Sequence, residues 1–375
     1  MLAATTETPE KTPPKPPEGR ELDEADVSVA PDGDTCALPF HPAGSGTLDR
    51  LVETARDFAR SAASENTLRA YANDWAAFAR WCRMRGADPL PVSPQLIGLY
   101  IADLASPQGK APSQSAPRPL SVSSIERRLS GLTWGYAQRG FSLDRKDRHI
   151  ATVLAGIRRK HGRPPMQKEA ILPEDILAMI ATLPRDLRGL RDRAILLIGF
   201  AGGLRRSEIV SLDHGKDDTP DSGAWAQVLE DGVLITLRGK TGWREVEIGR
   251  GSSDQTCPVH ALTQWLHYAR IDFGPIFVAV SRNGLKATGD RLSDKHVARL
   301  IKQTVEDAGL RPELSKAERL RLYSGHSLRA GLASSAEVDE RYVQKHLGHA
   351  SAEMTRRYQR RRDRFRVNLT KAAGL

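Results

Sequence analysis

The sequence lacks the features of disulfide-stabilised, membrane-spanning and secreted proteins. Its three cysteines, Cys36, Cys82 and Cys257, are odd in number and far apart, so no disulfide framework is indicated and a reducing compartment is expected. No apolar run reaches the roughly 18 residues that a membrane-spanning helix needs. The N-terminus is acidic and proline-rich and has no apolar signal core. We therefore predict a cytoplasmic protein without a membrane partner.

Complete sets of metal-ligating residues are missing from the sequence as well. His346 and His349 lie three residues apart, but no carboxylate or cysteine at a suitable spacing completes a ligand set. Cys257 and His260 form another isolated pair, which is more typical of a capped helix start. We therefore expect no bound metal and no cofactor.

Positive charge is plentiful but unevenly distributed. The formal net charge is +10 and the sequence pI is about 9.6, although residues 1–46 carry nine acidic and only three basic side chains. The rest of the chain therefore carries a net charge of +16. This excess predicts a polyanionic partner, and charge alone leaves DNA, RNA and anionic membranes open.

The first half of the chain divides into a tail and a helical domain. Residues 1–45 are rich in proline and acidic residues and poor in large apolar ones, so we predict a disordered tail. After Ser64, a good helix N-cap, apolar residues recur every three or four positions. The composition of residues 106–119 is typical of a flexible loop. No strand pattern appears, and we predict an all-helical domain at 46–163.

A basic stretch that ends in two prolines, residues 158–165, marks the predicted domain boundary. Its cations Arg158, Arg159 and Lys160 belong either to a solvated linker or to one that follows a phosphate backbone. In residues 164–375, helical patterns flank short strand patterns separated by tight turns. The predicted fold class is therefore mainly α with a small antiparallel β-sheet.

Five short islands in the second domain combine cations with groups that transfer protons. Gly202 and Gly203 permit a sharp turn into a helix on which Arg205 and Glu208, three residues apart, share a face. A guanidinium held by a carboxylate can present its N–H fork to a phosphate, and an ordinary surface ion pair is the alternative. Lys240 lies in a β-turn, where the upstream glycine and following helix of a P-loop are absent.

The remaining islands add two histidines, a second arginine and a tyrosine. His326 and Arg329 stand at positions i and i+3 of a helix start, where phosphate binds readily and a histidine can exchange protons near neutral pH. His349 also precedes a helix, and structural histidines are the alternative at both positions. Tyr358 lies among basic residues that favour its phenolate. These are Arg356, Arg357, Arg360, Arg361 and Arg362.

Taken together, the five islands resemble those of the tyrosine recombinase, or phage integrase, family. The match covers about residues 50–370. Tyr358 lies nine residues after His349, and Arg329 lies three after His326, as the family pattern requires. The resemblance implies catalytic roles for six residues, with Glu208 as the structural partner of the first. The six are Arg205, Lys240, His326, Arg329, His349 and Tyr358.

The resemblance also implies an architecture and a reaction. A helical, SAM-like core-binding domain at 46–163 and a catalytic domain at 164–375 would form a C-clamp around DNA. Tyr358 would form a 3′-phosphotyrosine at a specific site in double-stranded DNA, without metal or ATP. Further DNA contacts are expected from the basic residues Arg158, Arg159, Lys160, Arg356 and Arg357. The expected state is a homotetramer on synapsed DNA and a monomer or dimer when free, associated with a bacterial nucleoid and with accessory DNA-bending proteins.

Two other functions remain open at this point. A type IB topoisomerase would use the same cleavage chemistry to relax DNA, and a catalytically inactive DNA-binding regulator would keep the basic surface. The stretch from Arg329 to His349 is a few residues shorter than the family pattern, which makes the placement of His349 and Tyr358 the least constrained. Nothing in the sequence separates integration, excision and resolution of a mobile element or plasmid.

Overall fold

The computed structural model describes residues 62–106, 119–164, 166–216, 223–239, 242–336, 338–349 and 351–359, with isolated positions between 51 and 58. For residues 357–359 the description is limited to the backbone. The predicted tail at 1–45, most of the predicted loop at 106–119, and Lys240 lie outside the described residues. Backbone contacts divide the chain into two compact units, Met1–Pro164 and Pro165–Leu375, named here the N-terminal and C-terminal units.

The N-terminal unit is built from helices. They are α1 (Glu65–Met84), α2 (Pro94–Ala105), α3 (Val122–Ala137) and α4 (Arg148–His161). Each follows a serine or aspartate whose side chain accepts a backbone N–H of the first turn. Their apolar faces enclose one core around the edge-to-face rings of Phe78, Tyr100 and Tyr136. No strand occurs among the residues described in this unit, as the helical pattern predicts.

The stretch predicted as a basic linker begins inside a helix. Helix α4 continues to His161, so Arg158, Arg159 and Lys160 form its last turn. Arg158 also donates a hydrogen bond from Nε to Glu126 Oε1 at 2.7 Å. For residues 158–161 the linker prediction was wrong, because the two prolines that follow disfavour helix only immediately before them. Arginine and lysine are good helix formers, and cations are favoured at a helix C-terminus.

The C-terminal unit combines helices with two small sheets. Its helices are α5 (Pro173–Ala181), α6 (Leu187–Ala201), α7 (Arg206–Val210), α8 (Pro258–Ala269), α9 (Asp294–Asp307), α10 (Lys316–Leu322), α11 (Gly325–Ser335), α12 (Glu340–Leu347) and α13 (Ala352–Gln359). Its strands are β1 (Leu212–His214), β2 (Ala224–Val228), β3 (Gly232–Gly239), β4 (Gly242–Gly249), β5 (Gly274–Pro275), β6 (Val278–Val280) and β7 (Ala287–Arg291).

The larger sheet contains the predicted antiparallel strands and two further ones. Strands β2, β3 and β4 pair antiparallel, and the sheet order is β4-β3-β2-β1-β5. Strand β1 pairs with β2 in parallel, and β6 pairs with β7 in a separate two-stranded sheet. The additional strands have two to five residues each, too few to show a clear alternation in the sequence. The fold class, mainly α with a small and mostly antiparallel sheet, is confirmed.

Helix α6 lies at the centre of the C-terminal core and leads into the first of the islands. Residues 194–199 of this helix are all buried. Trp265 of the adjacent helix α8 donates a hydrogen bond from Nε1 to the carbonyl of Ile276 at 2.7 Å and so holds the segment after β5. The rigid end of α6 therefore fixes where the turn at Gly202 begins. In the part of the chain that the structure describes, no helix has the length and apolar character needed to cross a membrane.

Candidate active site

The turn after α6 presents the first arginine. Gly203 adopts a positive φ of 55°, which turns the chain toward α7. Arg205 occupies the N-cap of α7, so it precedes that helix and does not share a helical face with Glu208. Glu208 accepts the backbone N–H of Arg205 at 2.8 Å and pairs with its Nη1 at 2.5 Å. One carboxylate therefore fixes both the backbone and the guanidinium of Arg205.

A second arginine that the sequence did not single out contacts the same carboxylate. Arg244, on β4, donates from Nη2 to Glu208 Oε2 at 3.0 Å and from Nη1 to the carbonyl of His346 at 3.3 Å. Alternation along β4 was the available signal, because Arg244 is in phase with the buried Val246 and Ile248. An inward-facing arginine needs an acidic partner.

Arg329 connects three of the islands through backbone carbonyls. Arg329 is 2% exposed. Its Nη1 donates a hydrogen bond to the carbonyl oxygen of Gly203 at 2.7 Å, and its Nη2 donates one to the carbonyl oxygen of Leu347. These bonds join α11 to the turn that precedes Arg205 and to the chain that precedes His349. The connection between α11 and α12 spans only 336–339, and Arg329 nevertheless reaches Leu347. The short spacing in the sequence therefore does not separate the two islands.

His326 lies in the first turn of α11, in a strongly positive environment. Ser324 caps this helix and accepts the backbone N–H of His326. The residue is exposed, but its ring is partly desolvated by the surrounding chain, and this burial lowers its pKa. The nearby cations Arg329 and Arg206 lower the pKa of His326 further. His326 is therefore predominantly neutral at neutral pH.

His349 is buried and lies within the field of three arginines. Its Nδ1 hydrogen-bonds Thr355 Oγ1 of α13 at 2.9 Å. Burial is the largest cause of a pKa lowered to about 4, followed by the charges of Arg329, Arg205 and Arg244. His349 is accordingly a neutral imidazole at neutral pH, with the hydroxyl of Thr355 fixing its ring.

His346, three residues earlier, has a different environment. Its Nε2 hydrogen-bonds the carbonyl of Ala201 at 3.0 Å, and burial again lowers its pKa. This contact holds α12 against the end of α6. Among the described residues, no group of three histidine, cysteine or acidic side chains could hold a metal ion.

The two other members of the predicted set are defined only by their neighbours. Lys240 lies outside the described residues, between Gly239 and Gly242, which pair at the end of the β3–β4 hairpin. The backbone of Tyr358 belongs to α13, and its side chain lies outside the described residues, as does that of Arg357. The same helix carries Arg356, whose Nε lies 3.1 Å from Glu340 Oε1.

The lowered pKa of His349 predicts a specific loss of stability in mild acid. The unfolded chain binds a proton at the ordinary pKa of 6.5, whereas the folded chain binds it only near pH 4, so stability falls as the pH drops between these values. Between pH 7 and pH 5, the unfolding free energy of the His349→Gln variant should therefore fall by about 2 kcal/mol less than that of the wild type. Urea unfolding of the full chain at both pH values measures this difference.

The exposed His267 of α8 supplies the matched control for this experiment. The His267→Gln variant controls for the substitution itself and should change the unfolding free energy at pH 7 by less than about 0.5 kcal/mol. The interpretation of His349 as a buried neutral imidazole is wrong if the His349→Gln variant keeps the full pH dependence of the wild type.

Comparisons with known proteins point in one direction. A family model described as the phage integrase family matches residues 169–364, slightly more than half of the chain. An integrase/recombinase xerD homolog of Selenomonas ruminantium is 32% identical over 333 residues, which cover 85% of this chain and 89% of that protein. Tyrosine recombinase XerC 1 of Ralstonia nicotianae is 28% identical over 347 residues, which cover 88% of this chain and 92% of that protein.

Solved structures share the fold at low sequence identity. The XerH site-specific recombinase bound to a palindromic difH substrate has a TM-score of 0.51 at 17% identity, covering 83% of this chain and 79% of that chain. A lambda integrase tetramer bound to a Holliday junction has a TM-score of 0.50 at 16% identity, covering 83% of this chain and 76% of that chain.

Proposed function

The chain belongs to the phage integrase family, and we propose from its site geometry how it breaks and rejoins DNA. It is a site-specific DNA recombinase, an enzyme that cleaves and rejoins DNA strands through a 3′-phosphotyrosine intermediate. The observation that carries the assignment of roles is the convergence of Arg205, Arg329 and His349. Arg329 donates to the carbonyl of Gly203, two residues before Arg205, and to the carbonyl of Leu347, two residues before His349. A phosphate beside this cluster would meet two guanidinium groups and a neutral imidazole.

Arg205 and Arg329 stabilise the charge that develops on the non-bridging oxygens of the phosphate. Both side chains are held before DNA arrives, Arg205 by Glu208 and Arg329 by the carbonyls of Gly203 and Leu347. A preorganised cation needs no reorganisation at the moment of reaction, which is the main source of its catalytic effect. The geometry therefore supports electrostatic stabilisation of the transition state.

The two histidines take different roles because their surroundings differ. His349 is buried and neutral, and with Nδ1 accepting the hydroxyl hydrogen of Thr355, its Nε2 would carry the hydrogen donated to a phosphate oxygen. His326 is exposed, and its lowered pKa keeps it unprotonated, so it is suited to accept the phenolic proton of Tyr358.

Each bond and proton of the cleavage step is accounted for by these residues. The phenolic oxygen of Tyr358 forms a bond to phosphorus, and the bond from phosphorus to the 5′-oxygen breaks. Lys240 donates a proton to the departing 5′-oxygen. The number of phosphoester bonds does not change, so neither ATP nor water is consumed. A 5′-hydroxyl from a second strand reverses the step and completes strand exchange.

If Lys240 is the general acid, a substrate whose leaving group needs no proton should restore cleavage by a variant that lacks this lysine. Lys240→Ala should slow cleavage by about 10²–10⁴-fold. A substrate with sulfur in place of the bridging 5′-oxygen should restore the rate to within about tenfold of wild type, because a thiolate departs without a proton. Single-turnover formation of the covalent adduct on both substrates measures the effect.

A lysine from the other hairpin is the control for this rescue. Lys286, exposed between β6 and β7, should tolerate Lys286→Ala with unchanged cleavage of both substrates. If Lys240→Ala is equally slow on the oxygen and sulfur substrates, Lys240 is not the general acid.

Double-stranded DNA at a specific site is the proposed partner, with four protomers on the synapsed DNA. The lambda integrase structure that shares this fold is a tetramer bound to a Holliday junction. Arg158, Arg159 and Lys160 in the last turn of α4, with Arg356 and Arg357 on α13, are proposed as DNA contacts. Accessory DNA-bending proteins and association with the nucleoid belong to the same proposal.

A plasmid assay distinguishes recombination from relaxation. Supercoiled plasmid carrying two copies of the DNA that flanks the gene of this protein is incubated with the purified chain, and a plasmid without these copies serves as control. A recombinase yields resolved or inverted products only from the first plasmid. Relaxation of both plasmids without exchanged products would favour the topoisomerase activity instead.

A further inference from the structure

Arg244 is a partly buried cation that the roles described above do not use. Its side chain is 12% exposed. Arg244 lies on β4, two residues after Gly242, the first residue of that strand. Burial lowers its pKa, an effect that the nearby Glu208 only partly opposes. A buried guanidinium carries a large desolvation cost. A fixed arginine at this place therefore needs an explanation in the contacts that it makes.

On one side, Arg244 shares the carboxylate that orients Arg205. Glu208 uses Oε1 for the Nη1 of Arg205 and Oε2 for the Nη2 of Arg244. Oε2 also accepts the backbone N–H of Arg205 at 2.8 Å, so Arg244 shares an oxygen with the backbone of Arg205 and the position of Arg205 is coupled to that of Arg244. The carboxylate is 9% exposed, and little water is present to replace a lost partner.

On the other side, Arg244 contacts the backbone of residues 346–348, which directly precede His349. Its Nη1 donates to the carbonyl of His346 at 3.3 Å. Gly348 has a positive φ of 59°, and a Cβ at this position would lie 2.8 Å from Cδ of Arg244 and closer still to Nη1. Glycine is therefore required where the chain passes over the arginine. The next residue is His349, so the guanidinium of Arg244 packs against the backbone that leads directly into the second histidine.

We propose that Arg244 is a positioning residue of the cleavage site, which aligns Arg205 and His349 on the same DNA phosphate. This inference rests on the proposed recombinase mechanism and adds a second positioning residue, beside Glu208, to its six catalytic residues. Arg244 touches neither the phosphate nor the nucleophile in this role. It acts through Glu208 in one direction and through the backbone of residues 346–348 in the other.

The two directions explain why arginine and not lysine occupies this position. A guanidinium presents N–H donors from separate nitrogens in one plane, and Arg244 uses Nη1 and Nη2 for different partners. A lysine ammonium would keep the positive charge, but its donors share a single nitrogen and cannot reproduce the geometry of the two contacts. Arg244→Lys should therefore preserve the electrostatic effect on His349 and lose the alignment.

A double-mutant cycle tests the action through Glu208. The rates of single-turnover cleavage are compared for Arg244→Met, Glu208→Gln and the double variant. We expect Arg244→Met to slow cleavage at least tenfold, while the Kd for DNA stays within about threefold of wild type. The double variant should be no slower than the slower single variant, because both changes break the same contact. Multiplying effects of the two changes would overturn the proposal.

The pKa of His349 gives a second measurement that does not depend on cleavage. The charged groups facing its ring are Arg329 from α11, Arg205 at the start of α7 and Arg244 from β4. NMR titration of the full chain, with His349 assigned through His349→Gln, should show a higher midpoint in Arg244→Met because one cation is lost. Arg244→Lys should keep the wild-type midpoint while cleavage remains slow.

The control is the exposed Arg250 after β4, whose Nε donates to the carbonyl of Glu230 at 2.6 Å. Arg250→Met should change neither cleavage nor the midpoint of His349. If the wild type forms no adduct but Arg244→Met shifts the titration midpoint of His349, the proposed recombinase function fails and the contact of Arg244 with the site stands.

The positioning role of Arg244 has its own contrary outcomes. A folded Arg244→Met variant that cleaves DNA normally overturns it, and so does an unshifted titration midpoint of His349. If Arg244→Met does not fold, Arg244→Lys takes its place, and normal cleavage by that variant has the same meaning.

Discussion

Tyr358→Phe is expected to abolish the covalent protein–DNA adduct and to leave DNA affinity within about threefold of wild type. In the proposed mechanism the phenolic oxygen is the atom that bonds to phosphorus, and phenylalanine lacks it while keeping the ring. Removal of a nucleophile from a catalytic set typically costs about 10⁴-fold or more in rate. The remaining cations should still bind the DNA backbone, because Glu208 holds Arg205 and the carbonyl of Gly203 holds Arg329.

Another tyrosine near the site provides the control for this variant. Tyr342 of α12 is 71% exposed, so Tyr342→Phe should alter neither folding nor adduct formation. Electrophoresis in SDS of the protein with a nicked DNA substrate measures the adduct, and gel retardation measures the affinity. A normal adduct yield from Tyr358→Phe would show that the nucleophile is a different residue.

Arg329→Lys is expected to impair both cleavage and stability. Lysine can satisfy one of the two buried carbonyls, Gly203 O and Leu347 O, and leaves the other without its donor. An unsatisfied buried carbonyl costs about 1–3 kcal/mol of unfolding free energy. Loss of a preorganised donor to the developing charge slows cleavage about 10²–10³-fold. The two effects have separate causes and are measured by urea unfolding and by single-turnover cleavage.

An exposed arginine on a neighbouring helix controls for the substitution itself. Arg299 of α9 is exposed, and Arg299→Lys should change stability by less than about 0.5 kcal/mol and leave cleavage intact. If Arg329→Lys cleaves at the wild-type rate, Arg329 is a structural residue that joins the islands and has no part in the chemistry.

The helical elements were readable from the sequence wherever one face is buried over several turns. Apolar spacing and a serine N-cap located α1, since the pattern from Leu68 to Trp81 extends over four turns. The short strands β1 and β5 to β7 gave no such signal, because a few residues cannot establish a period of two. The end of α4 was misplaced because the following prolines were given more weight than the helix propensity of Arg158–Lys160.

The candidate site was predictable in its residue types and only partly in its connections. The order and spacing of the islands indicated the chemistry, yet Arg205 proved to be a helix N-cap and not a member of the helix face. Arg244 was missed because its partners, Glu208 and the carbonyl of His346, are 36 and 102 residues away along the chain. Contacts of that range depend on tertiary packing, which no local pattern encodes.

The electrostatics of the cluster are consistent with an anionic substrate. Burial is the largest cause of the lowered pKa values of His326, His346 and His349, and nearby cations lower them further. These cations are Arg205, Arg206, Arg244, Arg329 and Lys168. A site that keeps its imidazoles neutral while it concentrates guanidinium charge is prepared for a phosphate, and the histidines remain able to accept or donate single protons.

Covalent trapping with residue-level mapping tests the central claim most directly. The full chain is incubated with nicked fragments of the DNA flanking its gene and with a genomic fragment library, in the presence of EDTA and without ATP. We predict an adduct that withstands SDS, in which the DNA is attached through a 3′-phosphate to the peptide containing Tyr358. Tight DNA binding without any adduct across the library, or an adduct mapped to another residue, would contradict the account.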